Sequence, residues 1–432
     1  MRSAAPGVLI VLLLLGCKRE RDPAEAPAPT PSPSPVPVAA PDAAVAAGPT
    51  WYRAVLRGGK DDTEVYFFLG VPAPGASGGA VFKVGAHEAR SDATFDGKAL
   101  KIPMDVHQTA IEGTVAADGT LSGTFSASWR AFGTATLQLA GTKVDAPAPS
   151  ALATVSAEGA VLDLGEPRTV WRLAMADSGV AKLVIDQVAP GDFAGVLRFD
   201  TGNTIYLAGN GRGDAVVLSG FDGTSGYRIE LALGADRKRA RGKWISGHRF
   251  DWRETLTATR GADFPFAAKA RPRRPGAKIG LPDYPALAAL EPGPLLVELA
   301  GSWCSTCRYA APFLVELHRE YAPRGLRMVT LLYEFTDDPE ADAKQAEAFK
   351  QTYGVTWPVV PIRGDLDEFT EIVPSGLADL HPAGFPVTLF LAADRSLVAL
   401  HAGFPAPDAA ERPRVEAELR AHAEALVGGP LK

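Results

Sequence analysis

Cysteine is scarce in this chain of 432 residues, and two of its three cysteines stand with two residues between them in Trp303-Cys304-Ser305-Thr306-Cys307. Thiols at that spacing can close into one small disulfide and reopen. The flanks narrow the meaning further. Residues 295–300 (LLVELA) are apolar enough for a buried strand. Beyond the pair, Ala311, Phe313, Leu314, Leu317 and Tyr321 recur at the three- and four-residue spacing of a helix. A cysteine pair where a strand gives way to a helix is a different object from cysteines scattered through a stapled scaffold. Half of a zinc site would need two more ligands, yet there is no second Cys-x-x-Cys and no His-x-x-x-His, so no metal is expected. A static structural disulfide would gain little, because so short a loop loses little entropy on closure.

The amino terminus has the pattern of an export signal over residues 1–16: Arg2, an apolar core over 8–15, then Gly16 before Cys17. That core is too short to span a bilayer as a lasting helix. Gly16-Cys17 resembles a bacterial lipobox, which implies cleavage before Cys17 and its acylation, the alternative being an ordinary secretory signal. Acylated Cys17 is no free thiol, which leaves Cys304 and Cys307 as the one titratable pair. In an oxidising compartment such a chain reads as a handler of disulfides. Lys18, where an Asp would favour inner-membrane retention, tips the expectation toward the outer membrane, with the protein facing the periplasm.

Residues 17–50 are rich in Pro and Ala and read as an extended tether. Two β-rich modules follow, at 51–145 and 155–262, with short alternating runs split by Gly, Pro and Asp-Gly turns. Candidate strands of the second lie at 181–186, 195–199, 204–208, 215–219, 227–233 and around Trp244. A faint duplication links the modules: Phe95-Asp96-Gly97 matches Phe221-Asp222-Gly223, Gly123 matches Gly242, and a Thr-Leu pair starts 13 residues after each of those last two glycines. His87, His107 and His248 are isolated along the chain and read as structural or surface residues. Residues 263–285 form a Pro/Arg/Gly linker, and from 286 to 428 strand and helix alternate, as in an α/β domain. The fold class expected is therefore multidomain, with two β-rich modules ahead of a C-terminal α/β domain. The net charge of −6, which becomes −7 once Arg2 leaves with the signal, implies no nucleic-acid partner.

Residues 286–428 resemble a TlpA-like thiol–disulfide oxidoreductase of the thioredoxin superfamily. The resemblance rests on WCSTC after an apolar strand, Pro312 five residues beyond Cys307, GFPVTLFL at 384–391, and the hairpin and helix that follow. It implies that Cys304 is the attacking thiol, its thiolate favoured by the free N–H groups and partial charge of a helix start. Cys307 would resolve the mixed disulfide and Trp303 would shield the pair. Pro386 resembles the superfamily's cis-proline, which presents the backbone of the preceding residue, here Phe385, to an extended substrate. Glu298, five residues before Trp303, matches a buried acid that passes a proton to the inner thiol. The redox-active disulfide would be the only prosthetic device, with no added cofactor.

The match is not complete. Thr306 stands where many relatives have Pro, and Ala310 where many have Glu. The missing Glu leaves Glu298 as the acid, with Glu334 at the end of the next strand as the alternative. The activity implied is a membrane-anchored reductase of disulfides in exported proteins. Its partners would be thiols and disulfides of cell-envelope proteins, an electron donor of unknown identity, and the membrane through the lipid anchor. The rival is a cell-envelope binding or scaffold lipoprotein in which the thioredoxin-like domain is vestigial.

Overall fold

The computed structural model describes residues 48–76, 78–85, 87–129, 133–156, 158–199, 203–264, 276–281, 285–304, 306–334, 338–362, 385–405, 409 and 411–428. The signal, Cys17, nearly all of the tether, Arg271 to Arg274 of the linker and His381 lie outside them. Three sheets form among the described residues, so the protein is multidomain and mostly β.

The first sheet contains β1 (Thr50–Gly58), β2 (Thr63–Val71), β3 (Ala80–Val84), β4 (His87–Ser91), β5 (Thr94–Phe95), β6 (Ala99–Met104), β7 (Thr109–Val115), β8 (Leu121–Trp129) and β9 (Gly133–Val144). Its order is β4-β3-β2-β1-β9-β8-β7-β6-β5, so the first strand closes on the last. The alternating burial of β6 and β9 shows one face on a core and one in water.

The second sheet is a closed barrel of β10 (Arg168–Met175), β11 (Gly179–Ala189), β12 (Asp192–Phe199), β13 (Thr204–Arg212), β14 (Ala215–Phe221), β15 (Gly226–Leu233), β16 (Arg239–Gly247) and β17 (Trp252–Gly261). Inward-facing Trp171, Leu183, Leu197, Leu218, Ile229 and Trp244 fill it. Closure is made by β10 pairing with β17, Val170 opposite Gly261. The sequence reading proposed neither β10 nor that closure. Barrel and first sheet share a core: Phe221 at the end of β14 lies 4.8, 5.5 and 5.2 Å, ring centre to ring centre, from Phe67, Phe82 and Phe125.

The proposed duplication divides in two. In chain order Gly123 and Gly242 each lie on the strand before the last of their sheet, and both are glycine for the same reason. A Cβ on Gly123 would lie 2.1 Å from the Glu112 carbonyl oxygen, and one on Gly242 would lie 1.9 Å from that of Glu230. The two Phe-Asp-Gly turns do not correspond. Strands β6 and β7 separate the first from the Gly123 strand, whereas β15 alone separates the second from the Gly242 strand.

The C-terminal part is α/β. A short helix α1 (Pro285–Ala288) precedes β18 (Leu295–Ala300), followed by α2 (Cys307–Tyr321), β19 (Arg327–Tyr333), α3 (Pro339–Tyr353), β20 (Val359–Ile362), β21 (Val387–Leu391), β22 (Leu397–Ala402) and α4 (Arg412–Val427). Sheet order is β20-β19-β18-β21-β22, with β18 parallel to β19 and antiparallel to β21. Every residue of β18 is buried, so the run is apolar without alternation. Asp338 caps α3 by accepting from the amides of Glu340 and Ala341, and Gly354 ends it in the left-handed conformation. Pro312 inside α2 leaves the backbone one N–H short, a known cause of helix bends. Among the described residues no helix is long and apolar enough to cross a membrane.

Gly242→Ala should cost about 2 kcal/mol or more in urea unfolding, since a backbone carbonyl cannot yield as a side chain can. Gly261→Ala, whose Cβ would meet nothing within 4 Å, is the matched control. Equal midpoints for the two variants would contradict the close approach.

Candidate active site

Cys304 and Cys307 form a disulfide, their Cα atoms 5.4 Å apart. Helix α2 begins at Cys307, so Cys304 sits in the loop just before it. Cys304 is 5% exposed and Cys307 is fully buried, which makes Cys304 the outer sulfur. The Cys307 amide donates to Cys304 Sγ at 3.1 Å. That contact is the local expression of a helix start, where an N–H without an intrahelical partner meets a sulfur able to take negative charge. Thr306 puts its hydroxyl 3.4 Å from Cys304 Sγ and donates to the Phe385 carbonyl at 2.8 Å.

Phe385 and Pro386 face the pair, and the peptide bond between them is cis. The Phe385 ring meets Trp303 edge to face at 5.4 Å, and Tyr333 packs on Phe385 at the same distance. Trp303 is half-buried, its indole N–H donating to the Tyr333 carbonyl at 2.7 Å. Trp303, Cys304, Cys307, Phe385 and Pro386 are thus brought together.

Glu298 is fully buried in β18, between Thr330 of β19 and Thr388 of β21 in register. Thr330 Oγ1 donates to Glu298 Oε2 at 2.7 Å and itself accepts from the Trp357 indole at 2.9 Å. Glu298 Oε1 has no hydrogen-bond partner among the described residues. Burial pushes this carboxyl up to about 7, against the opposing pull of the Thr330 bond. A neutral acid in that place holds a proton that could be passed on.

The loop between β18 and the cysteines is held by Glu334, the alternative acid of the sequence, and by His107 and Gln108 of the first sheet, of which Gln108 carried no signal in the sequence. Glu334, just past β19, accepts from the Ser302 amide at 3.0 Å, from Ser302 Oγ at 2.8 Å and from Gln108 Nε2 at 3.1 Å. Burial is the main cause that raises it to about 7. The Ser302 and Gln108 bonds oppose the rise, and the nearby charge of Asp342 adds to it. His107 Nδ1 donates to the Ser302 carbonyl at 2.5 Å, which places its proton on that nitrogen, and its Nε2 faces Tyr353 Oη at 3.3 Å. Burial, reinforced by the positive charge of Arg308, lowers His107 to about 4, so the ring is neutral.

His107 and Gln108 belong to the first sheet, in the turn between β6 and β7, and Gln108 sits at φ +55°. That region costs a side-chain-bearing residue about 1 kcal/mol. His87 of the same sheet stacks on Tyr206 of the barrel at 4.4 Å and contacts Tyr309 Oη of α2 at 2.9 Å. Arg308, next to Cys307, donates to the Asp222 carbonyl in the barrel turn at 2.6 Å. The histidines that look isolated in sequence therefore join domains, and only the φ of Gln108 marks the turn as unusual. His248 is structural, its Nε2 lying 2.9 Å from the Gly133 carbonyl. Among the described residues no group of His, Cys, Asp and Glu could hold a metal ion.

No protein-family model matches the chain. Over 109 residues it is 26% identical to the Thioredoxin-like protein YneN of Bacillus subtilis (strain 168), a stretch covering 25% of this chain and 56% of that protein. The chain thus spans about half the length of the curated relative it matches. Among solved structures it is similar to a secreted Mycobacterium tuberculosis disulfide oxidoreductase homologous to E. coli DsbE. That likeness is 18% identical and covers 32% of this chain and 86% of that one, with a TM-score of 0.23. It is also similar to StoA from Bacillus subtilis, at 14% identity, with coverage of 32% and 87% and a TM-score of 0.23.

The position of Glu298 has a stability consequence. Its folded pKa of about 7 lies above the ordinary 4.5. The stability gained from holding its proton is complete below about pH 4.5 and is lost as pH rises through 7. Glu298→Gln carries no such dependence. Relative to the parent it should gain about 2 to 3 kcal/mol between pH 5 and pH 8 in urea unfolding. A difference that does not change with pH would mean that Glu298 is ionised throughout.

Proposed function

We propose that the protein is a thiol–disulfide oxidoreductase of the thioredoxin-like kind, anchored to a membrane of the cell envelope by lipid on Cys17, and that it reduces disulfides of exported proteins. The observation that carries the reading is the Cys304–Cys307 disulfide at the start of α2, with Cys304 the less buried of the two and the Phe385–Pro386 backbone beside the pair. The 109-residue likeness to a thioredoxin-like protein supports it. The anchor and the cell-envelope location rest on the amino-terminal residues of the sequence.

In this mechanism the Cys304 thiolate attacks one sulfur of a substrate disulfide. A Cys304–substrate bond forms and the other substrate sulfur leaves as thiolate, to be protonated. Cys307 gives up its proton toward Glu298 and attacks Cys304, so the second substrate thiol departs and the Cys304–Cys307 disulfide remains. Two electrons and two protons from a donor dithiol then return the pair to its reduced form. Trp303 and Phe385 line the approach, and the Phe385 carbonyl, now held by Thr306, is the backbone group next to an incoming chain. Reduction is the direction that the resemblance implies. No cofactor beyond the cysteine pair is required.

One observation favours the scaffold reading as the second: at 5% exposure, Cys304 offers little surface to a protein substrate. Trapping separates the two. Cys307→Ser should accumulate a mixed disulfide with a reducible protein substrate, whereas Cys304→Ser should form none and lose reductase activity. Titration of the pair in redox buffers should give a potential near or below about −250 mV. A value near about −120 mV would make the protein a disulfide donor, and absence of any adduct would favour the scaffold.

A further inference from the structure

We propose that Glu334 is a positioning residue of the redox centre whose charge tunes the Cys304 thiol, and that Gln108 of the first β sheet sets that charge. The sheet is then a working part of the centre.

The argument is geometric. Glu334 grips the backbone and the hydroxyl of Ser302, two residues before Cys304. The carbonyl of the same residue is held by His107. The active-site loop is therefore suspended between β19 and the β6–β7 turn. Gln108 brings a third donor to Glu334 from that turn, and it does so from a left-handed backbone. Glu334 also lines a cleft of about 500 Å³ together with Gln108, Ser126, Ser128, Asp342 and Lys344. Its proton thus has a polar route to water. Glu298 does not line that cleft.

Among the described residues, the titratable and charged groups around Glu334 are Asp342 and Lys344 of α3, with His107 of the turn on the carbonyl of the same Ser302. Asp342 opposes ionisation, and His107 stays neutral above about pH 4. Donors favour the ionised form of a carboxyl, so losing Gln108 should move its ionisation to higher pH. A negative charge so close to the loop disfavours a thiolate at Cys304.

The inference rests on Cys304 being the attacking thiol. It is tested on the full chain with Cys307→Ser as background, by following iodoacetamide alkylation of the peptide carrying Cys304 by mass spectrometry from pH 4 to 10. The background should show a step near pH 7 beneath the thiol's own rise. Glu334→Gln should remove that part of the step that Glu298→Gln leaves in place, and should raise the rate at pH 7 about three-fold. Gln108→Leu should move the step to higher pH. If Glu334→Gln does not fold, Gln108→Leu carries the test, because it leaves Glu334 on Ser302. The inference is overturned if folded variants give the background profile, or if Glu298→Gln alone abolishes the whole step. Alkylation needs no protein substrate. A protein with this profile but no mixed disulfide would sink the reductase reading and leave this inference standing.

Discussion

The backbone of Ser302 is the fixed point of the region around the cysteine pair. Its amide and hydroxyl go to Glu334 and its carbonyl to His107, so both backbone polar groups of this residue are committed. The next residues inherit that position. Trp303 is tied to the Tyr333 carbonyl, the Cys304 amide donates to the Gly301 carbonyl, and Cys307 then opens α2 with its amide on Cys304 Sγ. A loop without regular structure has no ladder to hold it, and here side chains from two other elements do that work.

The groups that do so are polar and buried, an arrangement stable only when each donor meets an acceptor. Glu334 meets three donors. His107 is neutral and bonded on both ring nitrogens. Arg308 places its charge against the carbonyl of Asp222. The domains also meet through apolar groups, with Val106 of the β6–β7 turn joining the core of the α/β part and Phe221 joining that of the first sheet. Apolar contact supplies adhesion without direction, and the hydrogen bonds select one docking.

The residues legible in sequence were those whose partners are near in the chain or whose pattern is periodic. The run 295–300 is a strand because six apolar-context residues in a row fit only a strand covered on both faces, and the 3.6-residue pattern after Cys307 becomes α2. That same absence of alternation hid the direction of Glu298, which only its register between Thr330 and Thr388 reveals. Barrel closure was illegible because β10 and β17 pair across the whole module. The turn residues His107 and Gln108 carry no local pattern at all, and nothing near them in the chain hints that their partners are Ser302 and Glu334. The near-repeat of Gly123 and Gly242 was visible, but its cause, a neighbouring carbonyl where a Cβ would go, is a fact of packing.

The contacts on Ser302 and Glu334 span sequence separations of 195 and 226 residues. Loop closures of that length come late in folding, since chain entropy opposes them until the intervening domains have condensed. A chain emerging amino terminus first can complete its first sheet and barrel before Ser302 is available. Cys304 and Cys307 then enter a frame whose other half already stands, and the surroundings of the pair are finished last. A chain halted before its carboxyl end would carry two cysteines in an unfinished setting, which makes maturation itself a checkpoint on their chemistry.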